Sequence, residues 1–397
     1  MILLWLLLVF LLMMMMIKHF LCYFSLAYWN LPSQACYSRG AVPPLDEYGF
    51  IFNENHSFYG EKIVTLYSHK FGAYPYYDSN QIPHFGGLPQ KANLSLHLTL
   101  AEKDFIRAIP SESFDGLAII DYEEWRPVFS MNWGSKRIYQ DKSIEYVYNR
   151  TGKISKRMAI ALATAEFEKY ALTFMSETIQ LGKRLRPNAK WGFYGFPYCN
   201  ANVGMKTELE YVLFPSIYFY KYSDDDPDYN NRQAFAMLNE TQRIATYFEP
   251  KKQIFAFTKF EYDSYSLEET FYTEVKFNCS FLFITPADLG IDGIIFWSSS
   301  FQMPQRCRGI QQFVDADVGP YLQGILTSLL GLKNFRHGKC LAMNKTDCKT
   351  YECRCDDEWF GDRCQYNKYS YFVDNKITIL ERLLLRNIDI DLANLYL

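Results

Sequence analysis

Phe114-Asp115-Gly116-Leu117-Ala118-Ile119-Ile120-Asp121-Tyr122-Glu123-Glu124-Trp125-Arg126-Pro127 passes from an apolar run into a cluster of acids closed by Trp-Arg-Pro. The apolar part predicts a β-strand over Gly116 to Ile120. In extended chain, residues i and i+2 point to the same side. Asp121 and Glu123 therefore share a face, about 6 to 7 Å apart along the backbone, while Glu124 points away. Two carboxylates this close suppress each other's ionisation, so one stays protonated to higher pH and can act as a general acid. A surface D-x-E is common and usually idle; this pair directly follows an apolar strand.

Working outward, short β-type runs at Leu26 to Trp29, Lys62 to Tyr67, Trp191 to Tyr194, Phe214 to Phe219, Ile254 to Phe260 and Gly293 to Trp297 alternate with helical patterns. The clearest helix has Met158, Leu162, Phe167, Ala171, Phe174, Thr178, Leu181 and Leu185 at helical spacing, and Pro187 closes it. Such alternation predicts an α/β chain with parallel strands, and seven or eight strands over roughly 300 residues favour a (β/α) barrel over an open doubly wound sheet. No GxGxxG or GxxxxGK[ST] loop follows a strand, which counts against a nucleotide-binding fold. In a barrel the functional side chains belong at the C-terminal strand ends. Those ends offer the carboxylates together with Tyr194, Tyr218 and Trp297. Any single aromatic there is explained by packing; carboxylates and rings from four strand ends suggest a sugar site, because glycosidic cleavage needs a proton for the leaving oxygen and negative charge near the oxocarbenium-like centre.

The 397-residue chain has 49% hydrophobic and 21% charged residues, which excludes extended disorder. A net charge of −3 argues against a nucleic-acid-binding protein. Aromatic residues make up 18%, a surplus that suits stacking on sugars. The apolar run Ile2 to Ile17 reads as part of a secretory signal peptide over residues 1–27. Sequons at Asn55, Asn93, Asn149, Asn239, Asn278 and Asn344 are compatible with a glycosylated, secreted protein. Ten cysteines, less Cys22 in the leader, leave nine, and Cys340, Cys348, Cys353, Cys355 and Cys364 crowd the tail as a small disulfide-rich module of an oxidising compartment. Cys353-Arg354-Cys355 is a poor zinc motif, and its C-x-C-x8-C run resembles the end of an epidermal growth factor module. The reading calls for no metal and no cofactor. It divides the chain into a leader (1–27), a catalytic barrel (28–330), a truncated growth-factor-like module (331–366) and a helical tail (367–397). That tail, with a helix at 377–386, is too short and charged for a membrane anchor.

The acidic segment with Asn132-Trp133 resembles the active-site region of the hyaluronidases of glycoside hydrolase family 56. Further matches run in family order: Trp29-Asn30, Tyr74-Pro75-Tyr76-Tyr77, Phe85-Gly86-Gly87-Leu88-Pro89-Gln90, Trp191-Gly192-Phe193-Tyr194-Gly195-Phe196-Pro197, Phe214-Pro215-Ser216-Ile217-Tyr218 and Gly293-Ile294-Ile295-Phe296-Trp297. The resemblance implies a distorted (β/α) TIM-like barrel that hydrolyses β1,4 bonds in hyaluronan, with chondroitin a lesser substrate. It implies Glu123 as proton donor, Asp121 as the residue orienting the substrate's acetamido group, and Tyr194, Tyr218 and Trp297 as its pocket. The acetamido carbonyl then attacks the anomeric carbon in place of an enzyme nucleophile. The same matching pairs Cys36 with Cys307 and Cys355 with Cys364.

A glycosaminoglycan partner is anionic, so its groove should present cations. Arg126, Lys136, Arg137 and Lys259 lie near the relevant strand ends, and Lys259 is selected because it falls within a strand. Two departures from the family stand out: Cys199 lacks its usual nearby partner, with Cys279 as the obvious alternative, and the tail module lacks its first two cysteines. The alternatives are a chondroitin-preferring hydrolase and a non-catalytic glycan-binding or adhesion relative. Oligomeric state stays open.

Overall fold

Near-continuous apolar runs become parallel strands. The computed structural model describes residues 26–196, 212–220, 229–267, 270–272, 285–320 and 322, and the backbone of strands at 338–344, 347–355, 359–360 and 366–367. The chain divides into two compact units, 1–272 with 281–320 and 273–280 with 321–397. The expectations for the leader, Cys199, Cys279, Asn278, Cys364 and the tail helix fall outside the described residues.

In the first unit the strands are β1 (Leu26–Asn30), β2 (Ile51–Phe52), β3 (Ile63–Tyr67), the short hairpin β4 (Tyr76–Tyr77) and β5 (Pro83–His84), β6 (Leu117–Asp121), β7 (Lys190–Phe193), β8 (Val212–Leu213), β9 (Gln253–Thr258) and β10 (Gly293–Trp297). The helices are α1 (Leu94–Ala108), α2 (Arg137–Thr151), α3 (Lys156–Leu185), α4 (Tyr229–Ala245), α5 (Thr285–Asp288) and α6 (Met303–Phe313). Five strands pair in the order β2-β1-β10-β9-β8 and three in the order β3-β6-β7, all in parallel. A parallel bridge, Tyr194 to Phe214, joins β7 to β8, so eight strands form one arc.

The expected barrel is met in part. Among the described residues no backbone ladder closes the arc between β2 and β3. The buried side chain of Asn53 spans that seam: its Oδ1 accepts from the N–H groups of Lys62 and Ile63 at 2.9 and 3.0 Å, and its Nδ2 donates to the carbonyls of Ser57 and Ile63 at 3.0 and 2.8 Å. Asn30 Nδ2 adds a bond to Thr65 Oγ1 at 2.8 Å. Cys36, in the turn after β1, is bonded to Cys307 of α6 by a disulfide closing a sequence separation of 271 residues.

Each strand sorts its side chains between two cores. Tyr28, Ile63, Leu117, Ile119, Phe214, Phe255, Phe257 and Ile295 form the inner one. Val64, Leu66, Ala118, Ile120 and Trp191 point the other way and pack with Phe105 of α1 and Phe167 and Phe174 of α3. The alternation follows from the period of two along a strand, and burial on both faces explains why the runs carry so few polar residues.

Two sequence expectations shift. The strand expected over Phe214 to Phe219 forms instead just before it, at Val212–Leu213, and the expected stretch keeps only isolated bridges at Phe214 and Ser216. Pro215 has no N–H for a ladder, although its carbonyl still accepts from Phe257 at 2.7 Å. Helix α3 stops before Pro187 as expected, but its buried stripe is Ala159, Ala163, Phe167, Ala171, Phe174 and Thr178, leaving Met158 and Leu162 exposed. The small residues at the start of the stripe let the helix approach closely, a choice that spacing of large apolar residues does not reveal.

His97 on α1 is fully buried. Its Nδ1 accepts from Ala73 N at 3.0 Å, so Nε2 carries the proton and faces Thr178 Oγ1 at 2.9 Å. Burial holds its pKa down at about 3. The unfolded chain therefore binds a proton in the window from 6.5 down to about 3 that the folded chain refuses, and stability falls with pH there, by up to about 1.4 kcal/mol per unit. Melting temperature measured from pH 7 to pH 4 should decline. The decline should flatten in His97→Leu, even though that variant is less stable at neutral pH; an unchanged slope would exclude His97 as its source.

In the second unit, β11 (Gly338–Asn344) pairs antiparallel with β12 (Asp347–Cys355), and β13 (Trp359–Phe360) with β14 (Tyr366–Asn367). The register sets Cys340 opposite Cys353.

Candidate active site

The inner-face parity that places Leu117 and Ile119 in the core continues to Asp121 at the end of β6. The same rule carries Ile63 to Tyr67, Phe214 to Tyr218, Phe255 to Lys259 and Ile295 to Trp297. The sequence-selected residues Asp121, Glu123, Tyr194, Tyr218, Lys259 and Trp297 thus gather at one end of the arc. Tyr67 joins them, paired in register with Asp121.

Asp121 is buried, and its Oδ1 has no hydrogen-bond partner. It is coupled to Glu123, which stays open to solvent, as an acid meeting an outside substrate must. The protein crowded around the pair thins the water that would solvate the charged forms and pushes both carboxyls up, and for Asp121 the neighbouring Glu123 adds to the rise. Lys136 opposes it at Glu123. The pair consequently holds one proton to higher pH than isolated acids would. Glu124 points elsewhere, 3.8 Å from His69 Nε2.

The segment after β6 is fixed from behind. Trp125 Nε1 donates to the Pro75 carbonyl at 2.8 Å, and Tyr74 stacks between Tyr122 and Trp125 at centroid distances of 4.2 and 5.2 Å. Asn132 accepts from Arg126 N at 2.8 Å and donates back to its carbonyl at 2.9 Å. Lys136 Nζ donates to the carbonyl of Glu123, and to that of Glu124 at 3.2 Å. Glu123 is thus held by its own backbone.

Opposite the acids, Tyr218 stacks on Trp297 at 6.1 Å, and Lys259 Nζ lies 4.7 Å above the Tyr218 ring and 5.6 Å from that of Trp297. Lys259 sits just past the end of β9 rather than within it, and burial lowers its pKa. The Tyr194 hydroxyl donates to Ser216 Oγ at 3.5 Å. Burial raises the hydroxyls of Tyr194 and Tyr218, so both stay protonated donors. Trp297 Nε1 donates to the Tyr67 hydroxyl at 2.8 Å. Of the other expected cations, Arg126 lies over the exposed Trp133 ring at 5.0 Å, and Arg137 is exposed and faces Asp141 at 3.8 Å.

Tyr67, Ser216 and Lys136 are the contributors that sequence reading missed or passed over. Parity alone would have found Tyr67, since it ends a recognised strand on the inner face.

A buried ion pair braces the aromatic side. Arg306 Nη2 pairs with the Glu261 carboxylate and donates to Ser298 Oγ at 2.8 Å, while Nη1 donates to the Ser299 and Phe301 carbonyls at 3.1 and 3.2 Å. Glu261 lies two residues beyond Lys259 and Ser298 one beyond Trp297, so the pair ties the two strand ends together. Glu261→Ala leaves a buried guanidinium without its counter-charge and should cost about 3 kcal/mol or more, read as a lower urea midpoint. A loss under about 1 kcal/mol would show the site relaxing around the cation.

The sequence pattern of the hyaluronidases, glycoside hydrolase family 56, matches residues 22–212. A chondroitin hydrolase of Caenorhabditis elegans is 35% identical over 366 residues, covering 85% of this chain and 79% of that protein. A hyaluronidase of Polistes annularis is 30% identical, covering 77% and 88%. The crystal structure of bee venom hyaluronidase in complex with a hyaluronic acid tetramer superimposes with a TM-score of 0.68 at 28% identity, covering 76% of this chain and 99% of that one. With its parallel strand arc and the likeness of sequence and fold, the chain belongs to the hyaluronidase family of glycoside hydrolases.

Proposed function

We propose that this protein is a secreted endo-β-N-acetylhexosaminidase that hydrolyses β1,4 linkages in hyaluronan or unsulfated chondroitin, with Glu123 as acid and base. The observation that carries the reading is the buried Asp121 coupled to an accessible Glu123, two carboxyls that together hold a proton where the inner-face strand ends gather. An acetamido N–H would find an acceptor in the Asp121 carboxyl. Glu123 gives its proton to the departing glycosidic oxygen as the C1–O bond breaks, and the substrate's own acetamido oxygen bonds to C1. Water then attacks C1, returns a proton to Glu123 and releases the acetamido oxygen. Tyr194 and Tyr218 supply hydroxyl donors and Trp297 walls the acetamido methyl. The eight-strand arc serves as a distorted barrel, and Asn55, Asn93, Asn149 and Asn239 are exposed enough to carry glycans.

The name of the 35% identical relative supports chondroitin as a rival first substrate. Reducing-end release from each polymer between pH 4 and 8 decides between them. Cleavage with an acid-shifted profile is expected, because the acid must be protonated. A rate flat to pH 8 would remove Glu123 as the acid, and binding without cleavage would leave a lectin-like relative.

A further inference from the structure

A second recess opens beside Glu123. It is a cavity of about 350 Å³ whose lining includes Tyr77, Asp78, Glu124, Ser135, Lys136 and Tyr139. These residues come from the segments that follow β3 and β6, with Tyr77 in the β4–β5 hairpin and Tyr139 in the first turn of α2; β3 and β6 are adjacent parallel strands, so the recess stands at the same strand ends as the carboxylate pair. Lys136 makes the two continuous, since it lines the recess and donates to the Glu123 carbonyl. The volume is at the small end for ligand sites and suits one sugar unit of a polymer threaded past the acid.

The walls are built rather than incidental. Tyr77 N donates to the Tyr139 hydroxyl at 3.2 Å and the two rings meet edge-on at 5.8 Å. Phe85, Gly86 and Gly87 all have positive φ, at 50°, 97° and 75°. A Cβ on Gly87 would come within 2.7 Å of the Tyr77 ring, so glycine lets that ring stand where it walls the recess. Asp78 is equally fixed: Oδ1 accepts from Asn80 N and Ile82 N at 2.9 Å each, and Oδ2 faces His84 Nε2 at 3.2 Å. Those bonds hold its carboxyl below the usual range.

The charge balance is unusual for a site meeting a polyanion. Asp78 and Glu124 contribute two carboxylates, faced by the imidazoles of His84 at 3.2 Å and His69 at 3.8 Å, and the Lys136 ammonium is turned toward two backbone carbonyls. A uronate or a sulfate entering here meets like charge, whereas the hydroxyls and acetamido N–H of a neutral hexosamine meet acceptors. Resting on the proposed function, we infer that this recess is a subsite for an unsulfated N-acetylhexosamine unit, and that Asp78 and Glu124 make the enzyme discriminate against sulfated chondroitin.

The test compares unsulfated chondroitin with chondroitin 4- and 6-sulfate. Turnover is measured in otherwise wild-type protein, and binding of sized oligosaccharides in the Glu123→Gln background, each with and without Asp78→Asn plus Glu124→Gln. The double substitution should raise the sulfated-to-unsulfated ratio by at least about tenfold in both readouts. Ser135→Trp, which fills the recess, should weaken binding of unsulfated oligosaccharides by a similar factor. A binding ratio unchanged within twofold, or a recess-filled variant that binds as before, overturns the subsite. Absence of turnover with the binding shift intact would sink the proposed hydrolysis and leave the subsite standing.

Discussion

Glu123→Gln should lose about a thousandfold or more of its reducing-end release while folding normally, and it should melt no lower than the parent at pH 7. The loss follows from removing a proton that no other group at the site is placed to supply: Asp121 is buried, and the hydroxyls of Tyr194 and Tyr218 are driven toward still weaker acidity. The stability half of the result comes from linkage. A carboxyl raised in the folded state binds its proton more tightly there than in the unfolded chain. Its contribution is therefore full at acid pH and is lost as pH rises through the folded value. At pH 7 the pair weakens the fold, and an amide in place of one member relieves the repulsion. Melting measured at pH 5 and pH 7 should show the variant gaining on the parent at the higher pH. A variant that lost activity and several degrees of melting temperature alike would point to a collapsed site rather than a missing acid.

Replacing Cys36 and Cys307 together by serine should cost about 5 kcal/mol, as an upper figure, because the bridge closes a separation of 271 residues and removes that loop entropy from the unfolded chain. It fastens the turn after β1 to the helix after β10, two strands already paired in the sheet, so the native ladder remains when the bond is gone. Urea unfolding of the double variant at pH 7 should show a lower midpoint with an intact folded baseline and measurable cleavage at low denaturant. A midpoint within about 1 kcal/mol of the parent would mean that unfolded-state structure already limits the loop.

The strands were legible because burial on both faces leaves an unbroken apolar run, and at Gly293–Trp297 the expected and observed limits agree. The acid pair was legible because period two needs no tertiary information. Two other features were not. Closure of the arc depends on which strand ends meet, and the joint at Asn53 is made by a side chain whose asparagine reads locally as a loop residue. Lys136 donates to backbone carbonyls 12 and 13 residues away. That contact needs the turn between β6 and α2 to fold first, so charge alone made Lys136 one surface lysine among several. The α3 stripe failed at its start for a related reason: Ala159 and Ala163 are buried where Met158 and Leu162 looked better suited.

The amide of Asn53 is also where a covalent change would be felt most. Loss of its amide nitrogen, the slow spontaneous deamidation to which asparagine is chemically prone, would swap a donor for a carboxylate oxygen. Three backbone carbonyls that now receive its N–H groups, those of Ser57, Phe58 and Ile63, would then face negative charge. The acceptor bonds from Lys62 and Ile63 would survive, so the seam would part on one side only, beside β3, the strand that ends in Tyr67 at the active site. A single atom exchanged at the opposite end of that strand would thus loosen the enzyme from its seam.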